Sequence, residues 1–209
     1  MALFYFNHRE SLDLDFFSRN FNRDRVERII SLLSEALNRK IELIGRESRK
    51  NRAKILVYSV PLSESQFLKL DFVQDYFRLI KPLKVINGIN VLALEDIYIR
   101  KILTLTGAIH VEDVIGRPTL TGGRQEAKDF YDLYCLSQAF LQLSDFCIKY
   151  VNQPVFKEAI IRWFNTYSRL DIKTGLLELR LNKKINYIEM ERHFKKEIDT
   201  LIEREINSL

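Results

Sequence analysis

Residues 12–17 read LDLDFF, and this short stretch decides how the rest of the chain is interpreted. Side chains of a β-strand alternate between its two faces, so a strand here places Asp13 and Asp15 on one face and the apolar residues 12, 14 and 16 on the other. Two adjacent carboxylates repel each other, and hard divalent cations prefer oxygen ligands. The pattern predicts a magnesium-binding pair, with two solvated acids on an edge strand as the alternative.

A third carboxylate lies on another predicted strand. Residues 41–44, 54–60 and 66–73 are rich in branched and aromatic residues, and the short polar turns between them predict antiparallel neighbours. In the last of these strands the apolar residues alternate with polar ones, which places Asp71 on the face away from the core. Asp71 is therefore a candidate third metal ligand, although alone it would be an ordinary surface acid.

Local signals place a helix and a hairpin near these strands. Asn22 or Asp24 is suited to cap a helix whose apolar residues follow the helical period at positions 26, 29, 30, 33 and 37. Further along, Asn87 and Gly88 stand between apolar pairs, which predicts a two-residue hairpin turn because both central positions need a positive φ.

A second helix is predicted from Leu94, with acids in its first turn where the helix dipole favours them. Lys101 lies on the apolar stripe of this helix. It either extends its ammonium group to solvent or holds it over a phosphate. Gly107 ends the helix, and residues 108–123 are expected to form a loop, whose length is typical of a functional segment.

The rest of the chain is predicted to be helical. Residues 124–140 form one helix, in which Asp129 and Asp132 lie on one face and form an exposed ion-pair network with Lys128. Three or four further helices include residues 154–169, 174–181 and 185–207, the last with an apolar stripe for docking.

The composition is that of a globular protein with a real core. The chain has 209 residues, of which 46% are hydrophobic and 29% charged. Its net charge of +5 permits a polyanionic partner without requiring one. Cys135 and Cys147 are expected to be reduced core thiols. Neither a membrane span nor a signal sequence is recognised, which predicts a cytoplasmic protein.

Four separated motifs resemble the AbiEii/AbiGii nucleotidyltransferase toxins, which belong to the DNA polymerase β-like nucleotidyltransferase superfamily. In order, they are His8-Arg9-x-Ser11-x-Asp13-Leu14-Asp15-Phe16-Phe17, Leu70-Asp71-Phe72, Leu94-Glu95-Asp96-Ile97 with Lys101, and Lys128-Asp129-Phe130-Tyr131-Asp132-Leu133. The resemblance covers residues 2–137. It implies an α+β fold, with a small mixed sheet flanked by helices in residues 1–92 and a helical region in residues 93–209 that contains motif helices 94–106 and 124–140.

The resemblance also implies roles for individual residues. Asp13, Asp15 and Asp71 would hold two magnesium ions, which orient a nucleoside triphosphate for in-line displacement. Lys101 would contact the triphosphate, and Asp129 would assist the attacking hydroxyl. In addition, the resemblance assigns Arg9 and Ser11 to the nucleotide site, whereas a structural role is expected for Asp132.

Family members transfer a nucleotide to an acceptor, in studied cases the 3′ end of tRNA, and an antitoxin opposes them. The resemblance therefore implies a nucleoside triphosphate substrate, an RNA acceptor and an antitoxin protein as partners. The family carries Gly-Gly-Ser or Gly-Gly-Thr just before Ala2-Leu3, where this chain has only Met1. The chain is thus expected to be N-terminally truncated.

Two alternatives follow. The chain is either a metal-dependent nucleotidyltransferase or a degenerate, non-catalytic relative that binds RNA or protein. A third and unrelated interpretation is a helical interaction protein, which predicts that the three aspartates Asp13, Asp15 and Asp71 are scattered in space.

Overall fold

A computed structural model describes residues 1–49, 52–182 and 185–207. The chain divides into two compact units, of which unit 1 comprises Met1–Glu10 and Leu79–Leu209 and unit 2 comprises Ser11–Arg78. This division differs from the expected boundary at residue 92, because the first ten residues and residues 79–92 belong with the helices. The α+β class predicted from the sequence is confirmed.

Unit 2 is a four-stranded mixed sheet with one helix. Its strands β1 (Asp13–Ser18), β2 (Glu42–Glu47), β3 (Ile55–Pro61) and β4 (Phe67–Gln74) lie in the order β1-β4-β3-β2. Helix α1 (Arg23–Leu37) connects β1 to β2, and the Asn22 side chain caps it by accepting a hydrogen bond from the Arg25 amide. As predicted, β2, β3 and β4 are antiparallel neighbours, while β1 runs parallel to β4.

One face of this sheet is covered by α1. The core contains Val26 and Ile30 from the helix with alternate residues of the sheet, namely Leu56, Tyr58, Val60, Leu70 and Phe72. Leu14 packs against this core, and the ring of Phe16 stacks on that of Phe72 with centroids 5.0 Å apart. Because side chains alternate along β1, Asp13 and Asp15 lie on the opposite face, as predicted.

Unit 1 begins with a π-helical turn at Ala2–Phe6 and continues with two hairpins and six helices. The hairpins pair β5 (Lys84–Ile86) with β6 (Ile89–Val91) and β7 (Gly107–Glu112) with β8 (Pro118–Gly122). The helices are α2 (Leu94–Thr106), α3 (Ala127–Ala139), α4 (Leu143–Tyr150), α5 (Pro154–Thr166), α6 (Arg169–Glu178) and α7 (Tyr187–Ile206). Asn87 and Gly88 have φ values of 51° and 77°, which confirms the predicted hairpin turn.

The core of unit 1 is aromatic and lies between the helices. Phe130, Phe146 and Phe194 are completely buried, and Trp163 packs against two of them. Both cysteines are free thiols, of which Cys147 is buried and Cys135 half-buried. Burial raises the pKa of Cys147 to about 12. Among the helices described, none is both long and apolar enough to cross a membrane.

The expectation of a loop over residues 108–123 is wrong, because β7 and β8 form a hairpin there. Ile109 and Val111 do alternate with polar residues, but the run is short, it is exposed on both faces, and the glycines and the proline that follow favoured a loop. The tip is held by Asp113, whose side chain accepts hydrogen bonds from the amides of Ile115 and Arg117, both at 2.9 Å. Side-chain capping of this kind is typical of a tight turn.

The hairpin depends on Gly107, where α2 ends. Its φ is +93°, and a Cβ atom there would lie 2.1 Å from the carbonyl oxygen of Thr121. Gly116 also has a positive φ, of +78°, but its Cβ would meet nothing within 4 Å. We expect Gly107→Ala to lower the free energy of unfolding by roughly 2 kcal/mol and Gly116→Ala by about 1 kcal/mol. Urea denaturation followed by circular dichroism measures both, and equal losses would contradict the steric argument.

Candidate active site

The three predicted metal ligands lie on one face of unit 2. Parallel pairing of β1 with β4 places Asp13 opposite Lys69 and Asp15 opposite Asp71. Neighbouring strands are about 4.8 Å apart, so Asp15 and Asp71 lie side by side. Asp13 precedes Asp15 by two residues on β1 and is therefore its next neighbour on the same face. The three acids therefore share one face of the sheet.

Asp71 is the most constrained of the three acids. Its Oδ2 accepts a hydrogen bond from Lys69 Nζ at 2.7 Å. Its Oδ1 is buried and has no hydrogen-bond partner. A buried carboxylate oxygen is costly unless a donor or cation satisfies it. The donor types and this unsatisfied oxygen therefore fit a divalent cation.

The side-chain positions do not by themselves form a metal centre. Within residues 1–49, 52–182 and 185–207, no group of three or more His, Cys, Asp or Glu side chains is close enough together to hold a metal ion. The aspartates share a face without converging on one point. Binding an ion would require their side chains to rotate towards it and Lys69 to release Asp71. Lys69 was not predicted as a site residue, although its spacing of two from Asp71 placed it on the same face.

A second cluster of charges lies in unit 1, between α2 and α3. Lys101 Nζ lies 2.7 Å from Asp129 Oδ1 and 2.7 Å from Asp132 Oδ2. The Lys101 side chain is only 21% exposed, so it does not extend to solvent. The predicted exposed network of Lys128 with these acids is wrong, since Asp129 and Asp132 are buried against α2. Lys128 instead lies 3.3 Å from Glu126.

Asp132 joins the start of the chain to α3. Arg9 donates to both of its oxygens, from Nε at 2.7 Å and from Nη2 at 2.8 Å, and His8 Nε2 lies 2.8 Å from Oδ1. The guanidinium of Arg9 thus forms a bidentate pair, which is the strongest geometry for such a contact. His8 had no predicted role, and no local pattern could have paired it with a residue 124 positions away.

Asp129 is held by two cations. Besides Lys101, Arg124 donates from Nε to Asp129 Oδ2 at 2.8 Å. Burial alone would raise the pKa of Asp129, but Lys101 and Arg124 outweigh it and the pKa lies below its ordinary value. Arg124 was not predicted as a site residue because it precedes α3 and no helical spacing connects it to Asp129.

The other buried charges shift in the matching directions. Burial would raise the pKa of Asp132, but Lys101, Arg9 and His8 hold it well below its usual range. Burial would lower the pKa of Lys101, but Asp132 and Asp129 raise it above its ordinary value. At neutral pH the cluster therefore contains two carboxylates and an ammonium group, all ionised. Of the remaining predicted residues, Ser11 donates from Oγ to the Asp13 carbonyl at 3.2 Å.

These pKa shifts predict acid sensitivity. An aspartate whose pKa is depressed in the folded state contributes stability above its unfolded pKa of about 3.9, and loses that contribution as the pH falls through the folded value. The pKa of Lys101 is raised and not lowered, so its contribution to stability is lost only as the pH rises above about 10.4. We expect the urea midpoint of the wild type to fall as the pH is lowered from about 5 to about 2. Asp132→Asn should flatten this decline, and parallel curves for the two proteins would contradict the assignment.

Two solved structures share the fold of this chain. The crystal structure of JHP933 from Helicobacter pylori matches with a TM-score of 0.51 at 18% identity, over 99% of this chain and 83% of that one. A candidate nucleotidyltransferase from H. pylori matches with a TM-score of 0.50 at 16% identity, over 95% and 83%. At these identities the likeness shows the fold alone.

The family follows from the sequence profile. The family described as the nucleotidyl transferase AbiEii toxin of type IV toxin–antitoxin systems matches residues 1–208. The chain belongs to this family of nucleotidyltransferase toxins, which confirms the resemblance seen in the motifs. No curated protein matches the chain.

Proposed function

We propose that the protein transfers a nucleotide from a nucleoside triphosphate to an RNA acceptor, at the 3′ end of tRNA, with two magnesium ions held by Asp13, Asp15 and Asp71. The observation that carries this proposal is the parallel register of β1 and β4, which pairs Asp15 with Asp71. When bound, the ions would stabilise the charge on the entering and leaving oxygens of the displacement.

The residues of unit 1 would serve the same reaction. Lys101 would contact the triphosphate with its charged ammonium group, which would have to turn from Asp129 or Asp132 to do so. Asp129 would accept a hydrogen bond from the attacking hydroxyl, for which it must be ionised, as its lowered pKa favours. Arg124, whose side chain is 49% exposed, would have to release Oδ2 for that purpose.

We propose that Arg9 and Ser11 serve the nucleotide site by holding the segment of chain that precedes Asp13. Arg9 uses Nε and Nη2 on Asp132, and its Nη1 donates to the Glu10 carbonyl at 3.0 Å. With these donors engaged, Arg9 would fix the segment that leads to Asp13. Ser11 would support the same segment through its contact with the Asp13 carbonyl. An antitoxin partner and a cytoplasmic location complete the proposal, because the cytoplasm holds both nucleoside triphosphates and tRNA.

One observation favours a second candidate function. The Lys69 ammonium already neutralises Asp71, as a resident cation would in a protein that no longer binds a metal. The second candidate is a non-catalytic relative that binds RNA or protein.

Label transfer separates the two candidates. Each of four radiolabelled nucleoside triphosphates is incubated with total tRNA, magnesium and either the wild type or Asp13→Ala, with a chelator as a second control. We expect one nucleotide to label tRNA with the wild type, and no label with Asp13→Ala or with chelator. A folded wild type that transfers none of the four would reject the enzyme in favour of the binding protein.

A further inference from the structure

Three connecting segments meet at one end of the unit 2 sheet. Strands β1, β2 and β4 all run in the same direction, so the segments that follow them meet at the same end. The Asp75 amide donates to the Ser18 carbonyl at 2.9 Å, and the Gln74 amide donates to the Lys54 carbonyl at 2.8 Å. We call the described residues 19–25, 46–49, 52–54 and 75–78 the basic end.

The basic end concentrates positive charge. These residues include eight Lys and Arg against three Asp and Glu, an excess of five, which equals the net charge of the whole chain. All eight cations are exposed, and these are Arg19, Arg23, Arg25, Arg46, Arg49, Arg52, Lys54 and Arg78. A cluster of this strength attracts a polyanion.

The acids of this end are largely used to shape its turns. Glu47 accepts hydrogen bonds from the amides of Ser48 and Arg49, both at 3.0 Å. Asp75 is buried and accepts a hydrogen bond from the Phe77 amide at 3.0 Å. Glu47 also lies 3.8 Å from Arg49 Nε and 3.7 Å from Arg52 Nη1, so it partly offsets those two cations, and the third acid, Asp24, is exposed. The eight cations still exceed the three acids by five.

Two of the cations lie where the helix dipole disfavours positive charge. Arg23 and Arg25 lie in the first turn of α1, where the helix dipole favours anions and disfavours cations. Arg23 pairs with Glu27 at 2.6 Å, but both side chains are about half exposed, so this pair adds little stability. Asp24 lies in the same turn and partly offsets these charges. A helix N-terminus with added cations suits a phosphate group.

The same end presents two exposed aromatic rings. Tyr76 is 67% exposed and Phe77 is 45% exposed, directly beside Arg78. The Tyr76 hydroxyl donates to Gln74 Oε1 at 2.7 Å, which limits the motion of the ring. Exposed aromatic rings among cations form stacking platforms for unpaired bases.

We infer that the basic end is an RNA-binding surface, on which the cations contact the phosphate backbone and Tyr76 and Phe77 stack on unpaired bases. The inference deepens the proposed function by locating a contact for the acceptor, and it rests on that function only for the identity of the RNA as acceptor. Binding itself requires neither a nucleoside triphosphate nor catalysis.

The test measures binding without the reaction. Fluorescently labelled tRNA is titrated with the full chain carrying Asp13→Ala, without nucleotide, at several salt concentrations. We compare Arg49→Ala/Arg52→Ala/Lys54→Ala with the control pair Arg39→Ala/Lys40→Ala, which lies at the opposite end of the sheet. The triple variant should bind at least about tenfold more weakly, and its slope of log affinity against log salt should be smaller by roughly two. The control pair should bind within about twofold of the parent.

Tyr76→Ala tests the aromatic part of the surface. It should weaken binding to tRNA and to an unstructured oligonucleotide by about fivefold or more, and leave binding to an RNA duplex unchanged. Circular dichroism of each variant checks the fold. Equal losses for the triple variant and the control pair would overturn the inference, as would binding to phosphatidylserine vesicles in place of RNA.

The outcomes also separate this inference from the proposed function. If the wild type binds tRNA through the basic end but transfers no nucleotide, the RNA-binding surface is supported and the transfer reaction is rejected. If the wild type labels tRNA and the triple variant binds tRNA as well as its parent, the transfer reaction is supported and the RNA-binding surface is rejected.

Discussion

Asp15→Asn should reduce nucleotide transfer by at least about a thousand-fold while the protein stays folded. A metal ligand supplies several kcal/mol of transition-state stabilisation, and about 4 kcal/mol corresponds to a factor of about a thousand. Asparagine keeps the shape of the side chain and removes only the charge. Because Asp15 lies opposite Asp71, losing that charge also removes a like-charge repulsion across the two strands.

The variant has two readouts. Label transfer should be lost, and the thermal midpoint without magnesium measures whether the fold is kept. Magnesium should raise the midpoint of the wild type and have a smaller effect on Asp15→Asn, since a ligand stabilises only the state that binds it. Glu64→Gln, at an exposed turn position of the same unit, should keep full activity. Full activity of Asp15→Asn would contradict the proposed metal site.

Asp132→Ala should cause the largest loss of stability among the variants considered. The change leaves Lys101, Arg9 and His8 buried without their shared carboxylate, and breaking a buried ion pair in this way costs about 3–5 kcal/mol. Urea denaturation measures the loss directly.

An exposed pair provides the control for this variant. Lys40 and Glu42 are 2.8 Å apart but largely exposed, so Glu42→Ala should change the free energy of unfolding by no more than about 0.5 kcal/mol. A loss below about 1 kcal/mol for Asp132→Ala would show that the cluster does not stabilise the fold as its geometry indicates.

The features that the sequence predicts correctly depend on local pattern. Period-two alternation placed Asp13 and Asp15 opposite the core, the Asn87-Gly88 pair marked its hairpin, and Asn22 marked the start of α1. Each of these signals is contained within a few residues, where backbone geometry and side-chain chemistry act directly.

The features that the sequence does not predict depend on long-range contacts. Arg9 and His8 meet Asp132 across more than 120 residues, and Arg124 meets Asp129 only through the turn before α3. The β7–β8 hairpin was missed for a different reason, because its alternating run is short and Gly116, Pro118 and Gly122 are typical of a loop. The assignments of individual residues to metal, triphosphate and acceptor remain predictions that the variants above test.

The discontinuous composition of unit 1 has a consequence for synthesis on the ribosome. Unit 2 is continuous, so its sheet can form as soon as Arg78 has left the exit tunnel. Unit 1 cannot form at that stage, because Arg9 pairs with Asp132, which is synthesised 123 residues later. Contacts of such sequence separation form slowly. A nascent or prematurely ended chain would therefore carry the acids proposed to bind magnesium in unit 2 without a completed cluster around Lys101 and Asp129, and we expect it to be harmless to the cell that is making it.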